Sequence, residues 1–475
     1  MTRKTHKNTT KVRPKTHKKK PKPKSKPKSK SKSKSKSKSK SKSKPKPSMW
    51  KEGNMSSHIV ENKKVKDIVH KIKTLKEYNI HKEKNLYLPV SNQYYSGRCW
   101  MFSFLNSLRL SVISKYKLDP TFSFSAAYMI FWDKYEKSKY FLTRVSDRSH
   151  LPMDDVENYF IFNSMLSDGG TWNMLQNIVT KYGIVPYDSM KESRHTVDTD
   201  QMNHIIIQSL QTFSQKLRSA PSKNHNHMIE SHMKKIYDVL VKSIGLPPKS
   251  VKSLKGGVKK ETPLQYYEQN IKPLKGNDVM KKILLIHVPS LKENQYYTID
   301  ELNNMKNGHP IYYYNVNMKT LKSSILNQLN DTIPVWFGCD YGKFNHRGEA
   351  LLNNQPFTFK TFPLKKKDLY LKKENSLSYY QTNVNHAMLF TGYRYNTSKQ
   401  NPHYWIVENS HGMKLKKTSF EQSHGFVTMS DTWFDDYVIM AVINSTYFQG
   451  TITPEKKQNA IVLPKWSNLG ELLHA

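Results

Sequence analysis

Cysteine is almost absent: Cys99 and Cys339 are the only two in 475 residues. Two thiols cannot build a disulfide framework, which points to a reducing compartment. Long apolar runs are missing as well. None approaches the roughly 18 residues that a membrane span needs, and the run Tyr437 to Ile443 suits a buried strand. No signal-peptide pattern opens the chain. An intracellular, soluble, cytoplasmic protein is therefore expected, with a nuclear or nucleic-acid-associated one as the alternative. Acidic residues are missing from Met1 to Pro47, a stretch that holds 22 Lys or Arg. Of the formal net charge of +41, the tail carries +22 and the remainder, 56 basic against 37 acidic residues, +19.

Lys-Ser alternation from Lys24 to Lys44 has nothing apolar to bury and repels itself, so residues 1–48 are expected to be disordered. Aromatic residues are lacking there too, which excludes readout by base stacking. The tail is either an unspecific, salt-sensitive arm for nucleic acid or another anionic surface, or a low-complexity expansion in a chain rich in Lys, Asn, Ile and Tyr.

After the polar lead-in from Met49 to Lys84 the pattern turns helical. In Asn92-Gln-Tyr-Tyr-Ser-Gly-Arg-Cys-Trp100, a Ser-Gly turn precedes Trp100, Phe104, Leu105, Leu108 and Val112 at helical spacing. Cys99 falls in the first turn, where unpaired backbone N–H groups favour a thiolate. Gln93, six residues earlier, is placed where its amide can join a backbone N–H as an oxyanion hole. A second amphipathic helix is expected through Ala127, Ile130, Phe131 and Tyr135. A third, from Asn173 to Tyr182, is closed by Gly183 and Pro186. Gly169 and Gly170 before it either let the backbone approach an extended peptide closely or form a plain turn. Residues 200–245 predict a helical pair with the stripe Ile229, Met233, Ile236, Leu240 and Ile244. His225, His227 and His232 crowd that region without an acidic or cysteine partner at ligand spacing, so solvated side chains are expected there and no metal. Lys249 to Lys260 predicts a linker, and Thr262-Pro-Leu a helix ending before Pro273. Beyond Lys282, short apolar strands are expected at Ile283 to His287, Val335 to Cys339, Ala387 to Tyr393, Tyr404 to Glu408, Phe426 to Met429 and Val438 to Ile443.

With 19 histidines available, one alone means little. His386, however, heads a strand, and 23 residues later Asn409 ends another. An Asn carbonyl can hold one imidazole nitrogen and turn the other toward a thiol. Cys, His and Asn in that chain order are the arrangement of papain-like enzymes, here with long insertions between them.

Those insertions carry a narrower likeness. NQYYSGRCWMF, FSAAYMIFWDK, LSDGGTWNML, TPLQYYEQNIKP, VWFGCDYGK, HAMLFTGY, WIVENS and GFVTMSDTWFDDYV follow one another from Asn92 onward. In that order the chain resembles the bleomycin hydrolases and bacterial aminopeptidases C of the papain superfamily. The resemblance implies an α+β, papain-like two-lobe fold: a helical lobe, a β-barrel-like lobe, large helical insertions and the disordered basic tail. It implies a single peptidase domain over 49–475, divided into an N-terminal arm at 49–91, a helical lobe at 92–199 and a helical insertion at 200–281. A β-rich lobe at 282–460 and a C-terminal arm at 461–475 complete it. Cys99 would be the nucleophile, His386 the acid and base, Asn409 the orienting residue and Gln93 the oxyanion donor, with no cofactor. Gly169, Gly170 and the terminal carboxylate of Ala475 would contact substrate, the last by receiving the free α-amine of a peptide. A homohexameric ring and peptide substrates with free N-termini are implied too. Three departures stand out: His411 where relatives have Trp, an arm about two residues longer than usual, and the basic tail. Two alternatives follow from them, an endopeptidase if the arm is displaced, and an inactive, basic nucleic-acid-binding or packaging protein. Cys339 is expected to be a buried small residue.

Overall fold

The computed structural model describes residues 88–474, apart from 257, 347–349, 355–365, 396–401 and 413–424. The basic tail, the arm up to residue 87 and Ala475 lie outside the described residues. Helices dominate the first half. Cys99–Tyr116 (α1) is buried on nearly every side and stops where Lys117 turns left-handed. Ala126–Asp147 (α2) starts on Ser125, whose side chain accepts from the Tyr128 N–H, one of the orphan donors of a helix start. Val156–Asn163 (α3) and Trp172–Tyr182 (α4) follow. Gly183 ends α4 at φ +75°, and a Cβ there would stand 2.1 Å from the Pro263 carbonyl oxygen, so only glycine fits.

The helical pair is Asp200–Arg218 (α5) and His225–Ile244 (α6), with the stripe from Ile229 to Ile244 buried. Its histidines correct one expectation. His225 is buried, bonded to Ser146 Oγ at 2.9 Å and the Ala220 carbonyl at 3.0 Å, and His232 stacks on Phe213 at 4.0 Å. Only His227 of the three is exposed. The linker at 249–260 also holds a small antiparallel pair, Val251–Lys252 with Lys260–Glu261. The Thr262 helix is one turn, Pro263–Tyr266, that runs on as a π turn to Ile271.

An eleven-stranded mixed sheet follows. In chain order its strands are Lys282–Ile286 (β1), Gln295–Ile299 (β2), Tyr313–Asn315 (β3), Val335–Cys339 (β4), Asn345–His346 (β5), Leu351–Leu352 (β6), His386–Tyr395 (β7), Pro402–Glu408 (β8), Phe426–Ser430 (β9), Val438–Asn444 (β10) and Ile461–Leu463 (β11). In space they run β11-β2-β3-β1-β10-β4-β7-β8-β9-β6-β5. Met318–Asn330 (α7) and Asp431–Tyr437 (α8) pack with them.

Strand periodicity sorts the two faces. Leu284, Ile286, Trp336, Ala387 and Leu389 join the core that holds α1, α2 and α4. Leu285, Val335, Phe337, Met388 and Phe390 join a second core with α7 and α8. Of the run Tyr437 to Ile443, Tyr437 ends α8 and the rest becomes β10, which is buried at every position. Among the described residues no helix is long and apolar enough to cross a membrane.

Candidate active site

Three distant parts of the chain meet at the N-terminus of α1. Cys99 is the first residue of the helix and is buried. Its Sγ accepts from the Ala387 N–H at 3.5 Å, and one turn on, Ser103 Oγ donates to the Ala387 carbonyl at 3.0 Å. Both backbone groups of one β7 residue are thereby tied to α1, which sets that helix against the strand headed by His386. Trp336 of β4 adds a third tie through its Nε1 to the Trp100 carbonyl, at 3.1 Å.

His386 Nε2 lies 2.9 Å from Asn409 Oδ1. An amide oxygen can only accept, so Nε2 carries the proton of the neutral ring and Nδ1 is its basic nitrogen. Asn409 is itself fixed from both ends. Its Nδ2 donates to Tyr341 Oη at 2.9 Å, and its Oδ1 also accepts from the Ser410 N–H at 2.8 Å. The Tyr341 ring packs against His386 at 4.7 Å, and the His411 ring lies on the same imidazole at 5.3 Å, 14° from parallel.

Gln93 lies beside this group. Its backbone N–H donates to the Ser410 carbonyl at 2.8 Å, its Oε1 accepts from Ser410 Oγ, and its Nε2 donates to the Ser96 carbonyl at 2.7 Å. Gly169 and Gly170 meet protein rather than open space. The Gly169 carbonyl accepts from Lys137 Nζ at 2.6 Å, and a Cβ on Gly170 would come within 2.5 Å of the Trp100 ring.

Burial pushes the Cys99 thiol up to about 11, with the N–H groups of Ala387, Trp100 and Cys99 itself working the other way. A thiol so raised does not release its proton to bulk water at neutral pH. Such a thiol ionises only where a neighbouring base can keep the proton, so that the two charges offset each other.

Several supports were not legible in the sequence. Asp168, just before the glycine pair, accepts from the Gly97 N–H at 3.2 Å and from Asn203 Nδ2 at 2.9 Å, bonds Thr199 Oγ1, and pairs with Lys134 at 2.6 Å. Burial alone would raise this carboxyl, but the Lys134 ammonium and these hydrogen bonds override it and hold the group well below the usual carboxylate range. Lys137 pairs with Asp133 at 2.8 Å. Arg98, also buried, pairs with Glu192 at 2.9 Å and bonds the Thr196 carbonyl. The turn before the cysteine is thus braced by buried charge on both sides.

Glu408, next to Asn409, accepts from Asn106 at 2.7 Å and lies 3.4 Å from Arg109, both on α1. Burial raises its carboxyl to about 7, against the pull of Arg109 and Asn106. Because the folded pKa lies above the unfolded one, this group favours folding at low pH, and its contribution is lost as pH rises from about 4.5 through 7. Glu408→Gln keeps an acceptor and removes the titration. Denaturant midpoints at pH 5 and pH 8 are expected to show the variant losing about 1–3 kcal/mol less stability over that interval than the wild type.

At the other end of the chain, Lys465 pairs with Glu157 and with Glu301, Trp466 stacks on Phe160 at 5.8 Å, and Leu469 and Leu472 are buried. Asn468 Nδ2 donates to the Leu377 carbonyl at 2.7 Å, and the Leu469 carbonyl accepts from Tyr313 Oη at 3.1 Å. Among the described residues no cluster of three or more His, Cys, Asp or Glu is arranged to hold a metal.

Residues 30–470 match the Peptidase C1-like family. Aminopeptidase C of Listeria monocytogenes is 33% identical over 405 residues, 81% of this chain and 86% of that protein. The bleomycin hydrolase of Mus musculus is 32% identical over 403 residues, again 81% and 86% of the two chains. Among solved structures, PepW from Lactobacillus rhamnosis aligns with a TM-score of 0.72 at 27% identity, covering 82% of this chain and 89% of that one.

Proposed function

The chain belongs to the Peptidase C1-like family of papain-like cysteine peptidases, and from that membership we propose that it is an aminopeptidase working by acyl transfer through Cys99, His386 and Asn409. One observation carries the reading. Sγ of Cys99 sits at the amide of the residue that follows His386, whose other face is held by Asn409 at 2.9 Å. In the first step His386 Nδ1 takes the thiol proton and the thiolate adds to the carbonyl carbon of the first peptide bond. The oxyanion that forms is met by backbone N–H at the start of α1, with Gln93 Nε2 as the second donor once it turns from Ser96. Collapse expels the amine, which takes its proton from His386, and leaves a thioester on Cys99. Water, deprotonated by the neutral imidazole, attacks that thioester, and the thiol regains its proton when the acid departs.

We also assign the C-terminal arm a selective role. Its root is fixed by Lys465, Trp466 and Asn468. A chain terminus placed at the cleft would block long peptides on one side and offer a carboxylate to a free α-amine. Peptides with free N-termini are then the substrate class, a homohexameric ring the assembly, and the cytoplasm the compartment. The basic tail would add unspecific contact with anionic surfaces. The reading as an endopeptidase has one observation in its favour: Lys465 is held by two carboxylates, each a quarter to a third exposed, and salt weakens such a latch.

Removing residues 473–475 tests the arm. The wild type is expected to cleave free-amine aminoacyl amides at least tenfold better than N-blocked ones, and the shortened chain to lose most of that ratio at an unchanged melting temperature. An unaltered ratio would mean that something other than the terminus reads the amine.

A further inference from the structure

The catalytic imidazole is not the only one in the site. His411 lies on His386 with ring centroids 5.3 Å apart and planes 14° from parallel, and Tyr341 flanks both, 5.8 Å from His411 and 4.7 Å from His386. Its backbone is fixed to the nucleophile segment. Asn92 and His411 form a β-bridge, and the Gly412 N–H donates to the Ser91 carbonyl at 3.0 Å. Gly412 has φ +74°, and a Cβ there would meet the Asn92 side chain at 2.9 Å, so the turn holds His411 to one place. His411 is also half-buried rather than sealed, so solvent protons reach it.

We propose that His411 is a positioning residue whose own protonation state sets how much of the Cys99–His386 pair exists as thiolate and imidazolium. The argument rests on the reading of Cys99 and His386 given above. As a neutral ring, His411 lays a flat face against His386, whose Nε2 bonds Asn409. As an imidazolium, it places a positive charge one ring away from the positive charge that His386 must carry. The thiolate that would offset it is on Cys99, whose Sγ is bonded to the Ala387 N–H, whereas His411 lies directly against the His386 ring. The net effect on the ion pair is therefore repulsive, and the neutral thiol and imidazole gain.

At 5.3 Å, two unit charges in a medium of effective dielectric between about 20 and 80 shift each other's titration by about 0.5 to 2 pH units. The coupling is reciprocal: the ion pair makes His411 harder to protonate by the same amount. Among the described residues, titratable groups on the surrounding elements include the Tyr341 phenol, which accepts from Asn409; Asp340, bonded to Asn385 and 4.0 Å from Lys343; and Arg98, paired with Glu192. On His411's own segment stands Glu408, held by Asn106 and Arg109. Burial raises the carboxyl of Asp340 and that of Glu408. Both carboxyls lose negative charge as acid is added.

The test is the pH dependence of Cys99 alkylation by iodoacetamide in the full-length protein, which reads thiolate directly and needs no peptide turnover. Wild type is expected to lose reactivity below pH 7 in a step that belongs to His411. In His411→Phe, which keeps a flat ring, and in His411→Gln, which keeps a polar one, that step should vanish. The ratio of rates at pH 5.5 and pH 7.5 should then rise at least threefold. The same acid limb in all three proteins would overturn the proposal while leaving the peptidase reading intact. Absence of accelerated alkylation at every pH in the wild type would remove the ion pair, and both claims with it. Melting temperatures of the two variants guard against a fold effect, since a rise seen in only one of them would point to packing and sink the electrostatic account.

Discussion

Cys99→Ser is expected to lower kcat/KM for free-amine aminoacyl amides by about a thousandfold or more, with the melting temperature little changed. A serine hydroxyl matches the volume of the thiol closely enough to keep the contact with the Ala387 N–H. What it loses is ionisation. In the proposed mechanism the thiol, though raised to about 11 by burial, hands its proton to the His386 imidazole, whereas a hydroxyl several pH units weaker as an acid cannot. Initial rates on a panel of aminoacyl fluorogenic amides, with wild type and variant at equal concentration, measure the effect. Retention of more than a few per cent of the wild-type rate would remove the thiol from the mechanism. A wild type that is itself inert, yet binds nucleic acid through residues 1–47, would instead favour the inactive basic factor.

The parts of the site that the sequence displayed are those whose chemistry depends on local position. Cys99 could be placed at a helix start from the Ser-Gly turn and the apolar spacing after it. His386 and Asn409 could be placed at strand ends from the runs beside them. Partners that act only through tertiary contact were hidden. Lys134, Lys137 and Glu136 look like the solvated face of α2, but all three are buried: the loop carrying Asp168 and Gly169 takes up the two lysines, and Lys181 and Tyr182 at the end of α4 take up Glu136. Asp133 and Lys137, four apart, carried the one local hint of an internal ion pair. Tyr341 sat in a plain turn, and nothing in its neighbourhood announced that its hydroxyl would hold Asn409. The strands Gln295–Ile299 and Tyr313–Asn315 were missed for another reason. Both are short and Tyr-rich with polar residues at hand, and their pairing with each other, and that of Tyr313–Asn315 with β1, becomes apparent only once the sheet is assembled.

Asp168→Ala is expected to destabilise the protein by about 3–5 kcal/mol, the usual cost of removing one partner from a buried ion pair. Lys134 is fully buried, and its ammonium lies 2.6 Å from Asp168 Oδ1; without the carboxylate, only the Ser167 carbonyl at 3.0 Å remains close to it among the bonds described. Thr199 Oγ1, Asn203 Nδ2 and the Gly97 N–H lose their acceptor at the same stroke. The Gly97 amide matters most for activity, since it belongs to the turn that delivers Cys99 to the helix start. Asp168→Asn separates the two effects. It keeps an oxygen for the Gly97 N–H but removes the charge that Lys134 requires, so stability should fall while the activity of the remaining folded protein stays closer to wild type. Paired measurements, denaturant unfolding for stability and active-site titration with a thiol-directed inhibitor for competent enzyme, distinguish the variants. If Asp168→Ala unfolds at the wild-type denaturant concentration, the buried network is not what holds the nucleophile turn. The positioning of Cys99 would then rest on the bonds of Arg98 to Glu192 and Thr196, the two bonds to Ala387 and the Trp336 tie.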